Sequence, residues 1–314
     1  MPRSKYLSRR TILILLLILG ALVIPLLARN VFIFELLIVA YLYGAVCVSW
    51  SMVLGYGGIF SFATLALFVL GGYMSGILSI RFGINPWGSM LLSSLITMSV
   101  GLAVAASLLR LKGFIVGLCT FSFQFLLLAI VVRFDEYTGG YNGLVMIPPL
   151  WSGLDRGQLA VSNYVLAFAI LVGTVILMHR ISVSKFGVAV RAYRDNEEYA
   201  VTLGIYPARL KVMLFAISSS ALGFAGAFQA HHMGFMAPDM LSFSTMLLLI
   251  VALVFGGLDN ILQCCLSAII LTILMEALSI TFPTIHLVLL GVLVMITILV
   301  SRQKIRKLLQ YISS

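Results

Sequence analysis

Apolar residues in this chain run without alternation for lengths that no strand needs. The stretch "TILILLLILGALVIPLL" shows neither the period of two that marks a half-buried strand nor the polar stripe of a soluble helix. Runs of about 18 or more such residues read as membrane-spanning helices. On that basis the pattern predicts about ten spans, near 11–28, 31–54, 57–81, 86–109, 114–132, 162–180, 211–232, 242–257, 260–281 and 285–301. Helices fit better than a barrel, whose strands would be short and alternating. The expected fold is an all-α polytopic membrane protein, built as a single transmembrane domain over 1–314.

Two interruptions qualify this picture. The clustered Gly55, Gly57 and Gly58 permit a broken or re-entrant helix near 55–64. Two polar stretches are long enough to be loops. Loop 133–161 holds "RFDEYTGGYNGLVMIPPLW", whose glycine pairs and Pro148–Pro149 favour tight turns. Loop 181–210 holds "GVAVRAYRDNEEYAVTLGI", the most charged segment between two spans.

Composition supports the membrane reading: 62% of residues are hydrophobic and only 10% charged, against about 25% charged in soluble domains. The net charge of +10 would suggest nucleic acid on a soluble domain, but none is present to bind it. Charge placement instead sets orientation. With the N-terminus in the cytoplasm, Arg29, Arg81, Arg133 and Arg156 are the only ones of the 20 Lys and Arg that fall outside. Both termini and loop 181–210 are then cytoplasmic, and loop 133–161 is extracytoplasmic. The basic start "MPRSKYLSRR" followed by an apolar run, without an A-x-A-like site, reads as an uncleaved first helix.

Within 181–210, Asp195 and Glu198 have capping-box spacing. They predict a short helix from Asn196 to Leu203, closed by Gly204 and Pro207, with Tyr199, Ala200 and Leu203 on one face. Such a helix either rests on lipid headgroups or docks on a cytoplasmic partner. Its acids Asp195, Glu197 and Glu198, mixed with Arg191 and Arg194, weaken the lipid alternative, since anionic headgroups favour an unbroken basic face.

The other candidates are sparse. Ser61 and Thr64, after Gly57 and Gly58, offer hydroxyls either to a solute pathway or to helix packing. Glu276 is an acid deep in an apolar run, and Glu35 lies near a span's start; such residues are functional hypotheses by default. Ser219, Gly223 and Ala227 form a small-residue stripe that suits close packing. His231 and His232 are adjacent and do not share a helix face, so a joint metal site is not expected. Cys47, Cys119, Cys264 and Cys265 form no C-x-x-C pair and read as buried packing residues. No Walker A loop, metalloprotease pair or nucleophile elbow occurs, so no catalytic residues and no metal site are expected.

Several segments resemble one family. Gly187, Arg191, Ala192, Arg194, Asp195, Glu197, Glu198, Ala200, Leu203, Gly204 and Ile205 are similar in arrangement to the cytoplasmic loop of LivM-type permeases of branched-chain amino acid ABC importers. "GYGGIFSFATLALFVLGGY" resembles that family's early glycine-rich segment, "YTGGYNGL" its Thr-Gly-Gly-x-x-Gly-Leu loop, and Phe215–Phe243 its Ser/Ala/Gly-rich helix and following turn. Ile59, Ala63 and Thr64 depart from it, standing where the family often has Gln, Gly and His. Gly256–Ala268 also lacks the usual Gly-Ser and Gly-Pro elements.

The resemblance implies a permease subunit in a bacterial inner membrane. Its implied partners are a second, LivH-type permease, cytoplasmic ATPases and an extracytoplasmic solute-binding protein. ATP would be hydrolysed by the ATPase subunits, with no cofactor on this chain. Arg191, Arg194, Asp195, Glu197, Glu198 and Leu203 would form the ATPase-coupling segment; Ser61, Thr64, Gly57, Gly58 and Glu276 are the pathway candidates. The rival reading is a stand-alone ion-coupled secondary transporter. A membrane-embedded enzyme is a third, which the missing motifs disfavour.

Overall fold

The computed structural model describes residues 31–282 except Lys112, together with a few positions between 288 and 295. The spans expected at 11–28 and 285–301 lie outside the described residues.

Seven described helices are long and apolar enough to cross a membrane. They are α1 (Val31–Ser51, continued by a π-turn over Met52–Tyr56), α2 (Ala63–Phe82), α3 (Pro86–Ser107), α4 (Phe114–Arg133), α6 (Arg156–Val183), α9 (Pro207–Met233) and α11 (Ile261–Thr281). Between them lie the short α5 (Asp135–Thr138), the loop helices α7 (Lys185–Asp195) and α8 (Glu197–Thr202), and α10 (Phe243–Gly256). Two-residue strands β1 (Leu144–Val145) and β2 (Phe235–Met236) pair antiparallel. Among the described residues the protein is a helical, multi-span membrane protein.

Four sequence expectations need correcting. The span drawn over 57–81 begins only at Ala63, because the first helix runs on through Tyr56 and the chain from Gly57 to Phe62 is not helical. The span at 242–257 is the 14-residue α10, about 21 Å long at 1.5 Å per residue and short of a ~30 Å hydrocarbon core. Loop 133–161 carries α5 and β1, and α6 starts within it at Arg156. Loop 181–210 is mostly helix. There Asp195 closes α7, and Asn196 caps α8, its side chain accepting from Tyr199 N at 2.9 Å.

The core is organised around α9, which packs most extensively on α3 and α2. Small residues make that approach possible, as the Ser219–Gly223–Ala227 stripe suggested. A Cβ on Gly223 would sit 2.6 Å from Thr97 Cβ, and a Cβ on Gly71 of α2 would strike the Gly223 backbone. Gly226 meets the Phe68 carbonyl in the same way. Without a large hydrophobic drive between helices in lipid, such close backbone contact carries the packing. A second layer is formed by α1 against α6 and α11. There Cys47 donates to Leu249 O, and Cys264 to Cys47 O, at 3.6 and 3.5 Å. Cys47, Cys264 and Cys265 are buried as expected, whereas Cys119 is exposed on α4.

Polar ties gather at the end of the bundle opposite α7 and α8. His231 is buried; its Nδ1 donates to Pro148 O at 2.7 Å, and its Nε2 lies 2.8 and 3.0 Å from Ser75 and Ser89 hydroxyls. His232 Nε2 pairs with Glu35 at 2.8 Å. Both histidines thus tie separate helices together, and no metal-binding cluster occurs among the described residues.

Gly223→Leu should cost about 1–3 kcal/mol or more by overpacking the α9 seam. It should lower the thermal midpoint of the purified chain, and an unchanged midpoint contradicts the close-packing account.

Candidate functional site: a helix interruption held by the loop helices

The chain between Gly57 and Phe62 leaves its helix with Gly57, Ile59 and Ser61 buried and Gly58 and Phe60 exposed towards the loop helices. Its polar groups therefore need partners, because lipid supplies none. Some stay local. Gly57 N donates to Met52 O at 3.0 Å, and Ile59 N to Val53 O at 3.1 Å. Ser61 Oγ, 3.3 Å from Ala63 N, accepts at the start of α2. The rest come from three other places. Trp50 Nε1 donates to Ser61 O at 2.7 Å, Thr120 of α4 accepts from Phe62 N at 2.9 Å, and Arg194 of α7 donates to Gly55 O at 2.8 Å.

A second interruption approaches the same helix. After β2 the chain passes through a 3-10 turn (Pro238–Leu241) before α10 begins, and Ser242 caps α10 by accepting from Thr245 N at 3.3 Å. Gln124 Nε2 donates to Leu241 O at 2.9 Å. Gln124 lies about 15 Å along α4 from Phe114, midway through a 20-residue helix. Phe121 stands between the two interruptions, its ring centroid 6.2 Å from those of both Phe62 and Phe243. Gln124 is 3% exposed and its Oε1 has no hydrogen-bond partner. The starts of α2 and α10 thus meet the middle of α4 around Thr120, Phe121 and Gln124.

The loop-helix end carries the charge. Arg194 pairs with Asp259, in the turn between α10 and α11, and with Asp195 at 3.2 Å. Burial works against its charge, but the hydrogen bonds to Asp259 and Asp195 outweigh that and raise its pKa above the usual arginine value. Arg191 lies over the Tyr56 ring, 5.8 Å from its centroid, and Tyr56 donates its hydroxyl to Asp259 O at 2.9 Å. A cleft of about 230 Å³ opens here between Gly57–Phe60, the start of α4, and Tyr193–Glu197. Lys211 borders it, mostly buried, its Nζ 5.7 Å from the Tyr193 ring centroid.

The sequence-expected residues separate into groups. Gly57 and Gly58 lie in the interruption and on the cleft. Ser61 and Thr64 are buried at its far side, 2% and 4% exposed. Glu276 is exposed on α11. On the loop helices Arg194 turns inward, while Asp195, Glu198 and Leu203 are exposed and Arg191 and Glu197 partly so. Ala200 is buried, so it anchors α8 while Tyr199 and Leu203, both 71% exposed, face outward. Sequence reasoning missed Trp50, Thr120, Gln124 and Asp259. A polar residue in an apolar helix was the available signal for Thr120 and Gln124; Trp50 and Asp259 gave none.

A family model described as branched-chain amino acid transport system / permease component matches residues 32–298. The chain belongs to this family. It is 26% identical over 251 residues to the high-affinity branched-chain amino acid transport system permease protein LivM of Salmonella typhimurium, covering 73% of this chain and 57% of that protein. It is 27% identical to LivM of Escherichia coli over the same shares. The probable branched-chain amino acid transport permease protein LivH of Methanocaldococcus jannaschii is 26% identical over 177 residues, 53% of this chain and 55% of that one. The chain spans a little over half the length of these relatives. No solved structure matches it. Within the family match lie both interruptions and both loop helices.

Thr120→Val keeps the shape of the side chain but leaves Phe62 N unpaired at a buried position. It should cost about 1–3 kcal/mol, read as a lower unfolding midpoint of the purified chain. An unchanged midpoint means Phe62 N has another partner.

Proposed function

We propose that this chain is a LivM-type permease subunit of an ABC importer for small polar solutes, most specifically branched-chain amino acids. The observation that carries the reading is the convergence of two interrupted segments on the middle of α4. Non-helical backbone at membrane depth is tolerated where protein buries it or where it lines a wet cavity, and broken helices form the solute sites of many transporters. Helix starts suit a carboxylate, and the Gln124 carbonyl oxygen suits an ammonium group. A zwitterion with a compact apolar side chain has both. Ser61 and Thr64 stand just behind this point; Gly57 and Gly58 lie towards the α7–α8 end, where solute would leave. Glu276 is exposed on α11, so a pathway role for it requires a partner surface.

In this reading α7 and α8 form the coupling element on the cytoplasmic side, within a single permease domain of about ten spans with both termini cytoplasmic. Asp195, Glu197, Glu198 and Leu203, with Tyr199, make the surface that meets an ATPase, and Arg191 and Arg194 stand behind them. A LivH-type permease completes the pathway, and a solute-binding protein meets the opposite end near loop 133–161. The membrane is the bacterial inner membrane. The partner ATPases supply the ATP chemistry, and this chain binds no cofactor of its own.

Reconstitution with the partner subunits tests the reading. Leucine uptake should require ATP and the solute-binding protein. Uptake by this chain alone under a proton or sodium gradient overturns it in favour of a secondary transporter. Glu198→Lys combined with Leu203→Ala should reduce ATPase retention about tenfold or more, the scale of losing well-placed interface contacts; full retention removes α8 from the interface. Orientation has its own check. With the native cysteines replaced, Asn142→Cys should react with an impermeant maleimide in intact cells, and labelling only after permeabilisation inverts the topology.

A further inference from the structure

The Arg194 side chain joins three segments that are far apart in sequence. Its Nη1 reaches the Gly55 carbonyl and Asp259, and its Nε holds Asp195. Gly55 O has lost its helical partner, since Ile59 N, which would pair with it in a continued helix, donates to Val53 O instead. The arginine stem crosses Gly58, whose φ is +63° and where a Cβ would stand 2.6 Å from Arg194 Cγ. Any larger residue there meets both backbone strain and the arginine. Tyr56 closes the circuit by bonding Asp259 O beneath Arg191.

We propose that Arg194 is a positioning residue that transmits movement of the loop helices to the helix interruption, latching α7 to Gly55 and to the α10–α11 turn, and is not itself a contact for the ATPase. The proposal rests on the permease reading. A guanidinium suits the task because its fork serves a carbonyl and a carboxylate together, which an ammonium on a flexible stem does less well. The latch holds a freed carbonyl in the π-turn that ends the first helix, and the turn before α11, to one side chain of α7. A displacement of α7 therefore either carries both with it or breaks the tie.

The test uses the full complex in proteoliposomes with Arg194→Ala, Asp259→Ala, the double variant, and Gly58→Leu, which displaces the arginine and leaves every charge in place. ATPase retention and hydrolysis should persist in all four. Leucine uptake per ATP hydrolysed should fall about fivefold or more, within the usual range of coupling between sites, and the double variant should be no worse than the worse single one. Normal uptake per ATP in Arg194→Ala overturns the latch. So does loss of ATPase retention in Arg194→Ala but not in Asp259→Ala, which makes the arginine a docking contact. If Arg194→Ala does not accumulate, Arg194→Lys and Gly58→Leu decide; full coupling in both overturns the proposal.

If the wild-type chain retains no ATPase at all, the permease reading fails separately. The latch is then judged on the chain alone, with Cys119→Ser and Phe60→Cys as the background. Phe60 is 40% exposed beside the cleft. Arg194→Ala should speed maleimide labelling there about fivefold, and an unchanged rate overturns the latch.

Discussion

A backbone that leaves its helix inside a membrane must find a partner for every donor and acceptor it frees. Here that demand falls on six residues, Gly57 to Phe62, and much of the surrounding structure is arranged to meet it. Trp50 comes from the preceding helix, Thr120 from α4 and Arg194 from the loop helices, each serving one group of the interrupted stretch or of the turn before it. The interruption is thus a joint where α1, α2, α4 and α7 are tied to one another through backbone groups. Removing the irregularity would take an acceptor from Trp50 and Arg194 and a donor from Thr120, so joint and surroundings specify each other.

Packing fixes where that joint sits. Gly71 and Gly72 let α2 lie against Gly223 and Gly226 of α9, close enough that no side chain fits between. The α9 seam also holds α3 through Thr97 and Ser219. With α2 held along its length, the close contacts end before its first residues and the stretch preceding them. The same logic applies to α10, which is short because the chain before it is spent on β2 and a 3-10 turn.

The sequence was informative where apolar periodicity and small-residue spacing carry the structure. The seven long helices and the Ser219–Gly223–Ala227 seam are legible because lipid selects length and close approach directly. Boundaries were less legible where local and tertiary partners compete. Asp195 and Asn196 are both good caps; Asp195 is taken up as the last residue of α7, and Asn196 caps α8. The break near 55–64 was legible in Gly55, Gly57 and Gly58, but the third span was drawn six residues early because Gly57–Phe62 is apolar enough to be helix. Its departure depends on Trp50, Thr120 and Arg194, distant residues that supply what a helix would have supplied. Arg194 read as a surface residue because its neighbours are charged; its inward turn depends on Asp259, 65 positions away.

The two ends of the bundle are tied in different ways, and the difference bears on how the protein moves. At the end opposite the loop helices, His231 is 2% exposed and holds Ser75, Ser89 and Pro148 from within the core. Opening that network leaves buried polar groups unpaired, a loss with no solvent to offset it. At the loop-helix end the anions are in water: the side chains of Asp259 and Asp195 are 72% and 67% exposed. Ion pairs of that kind are weak and exchange readily with solvent. The Asp259 contact is therefore the weaker part of the Arg194 tie, and the bond from the partly buried guanidinium to the Gly55 carbonyl is the part that holds α7 to the interruption. A load applied to α7 meets a compliant tie at the interruption and a rigid one at the far end. The interruption at Gly57–Phe62, already without regular helical bonds, lies at the end whose ties are exposed.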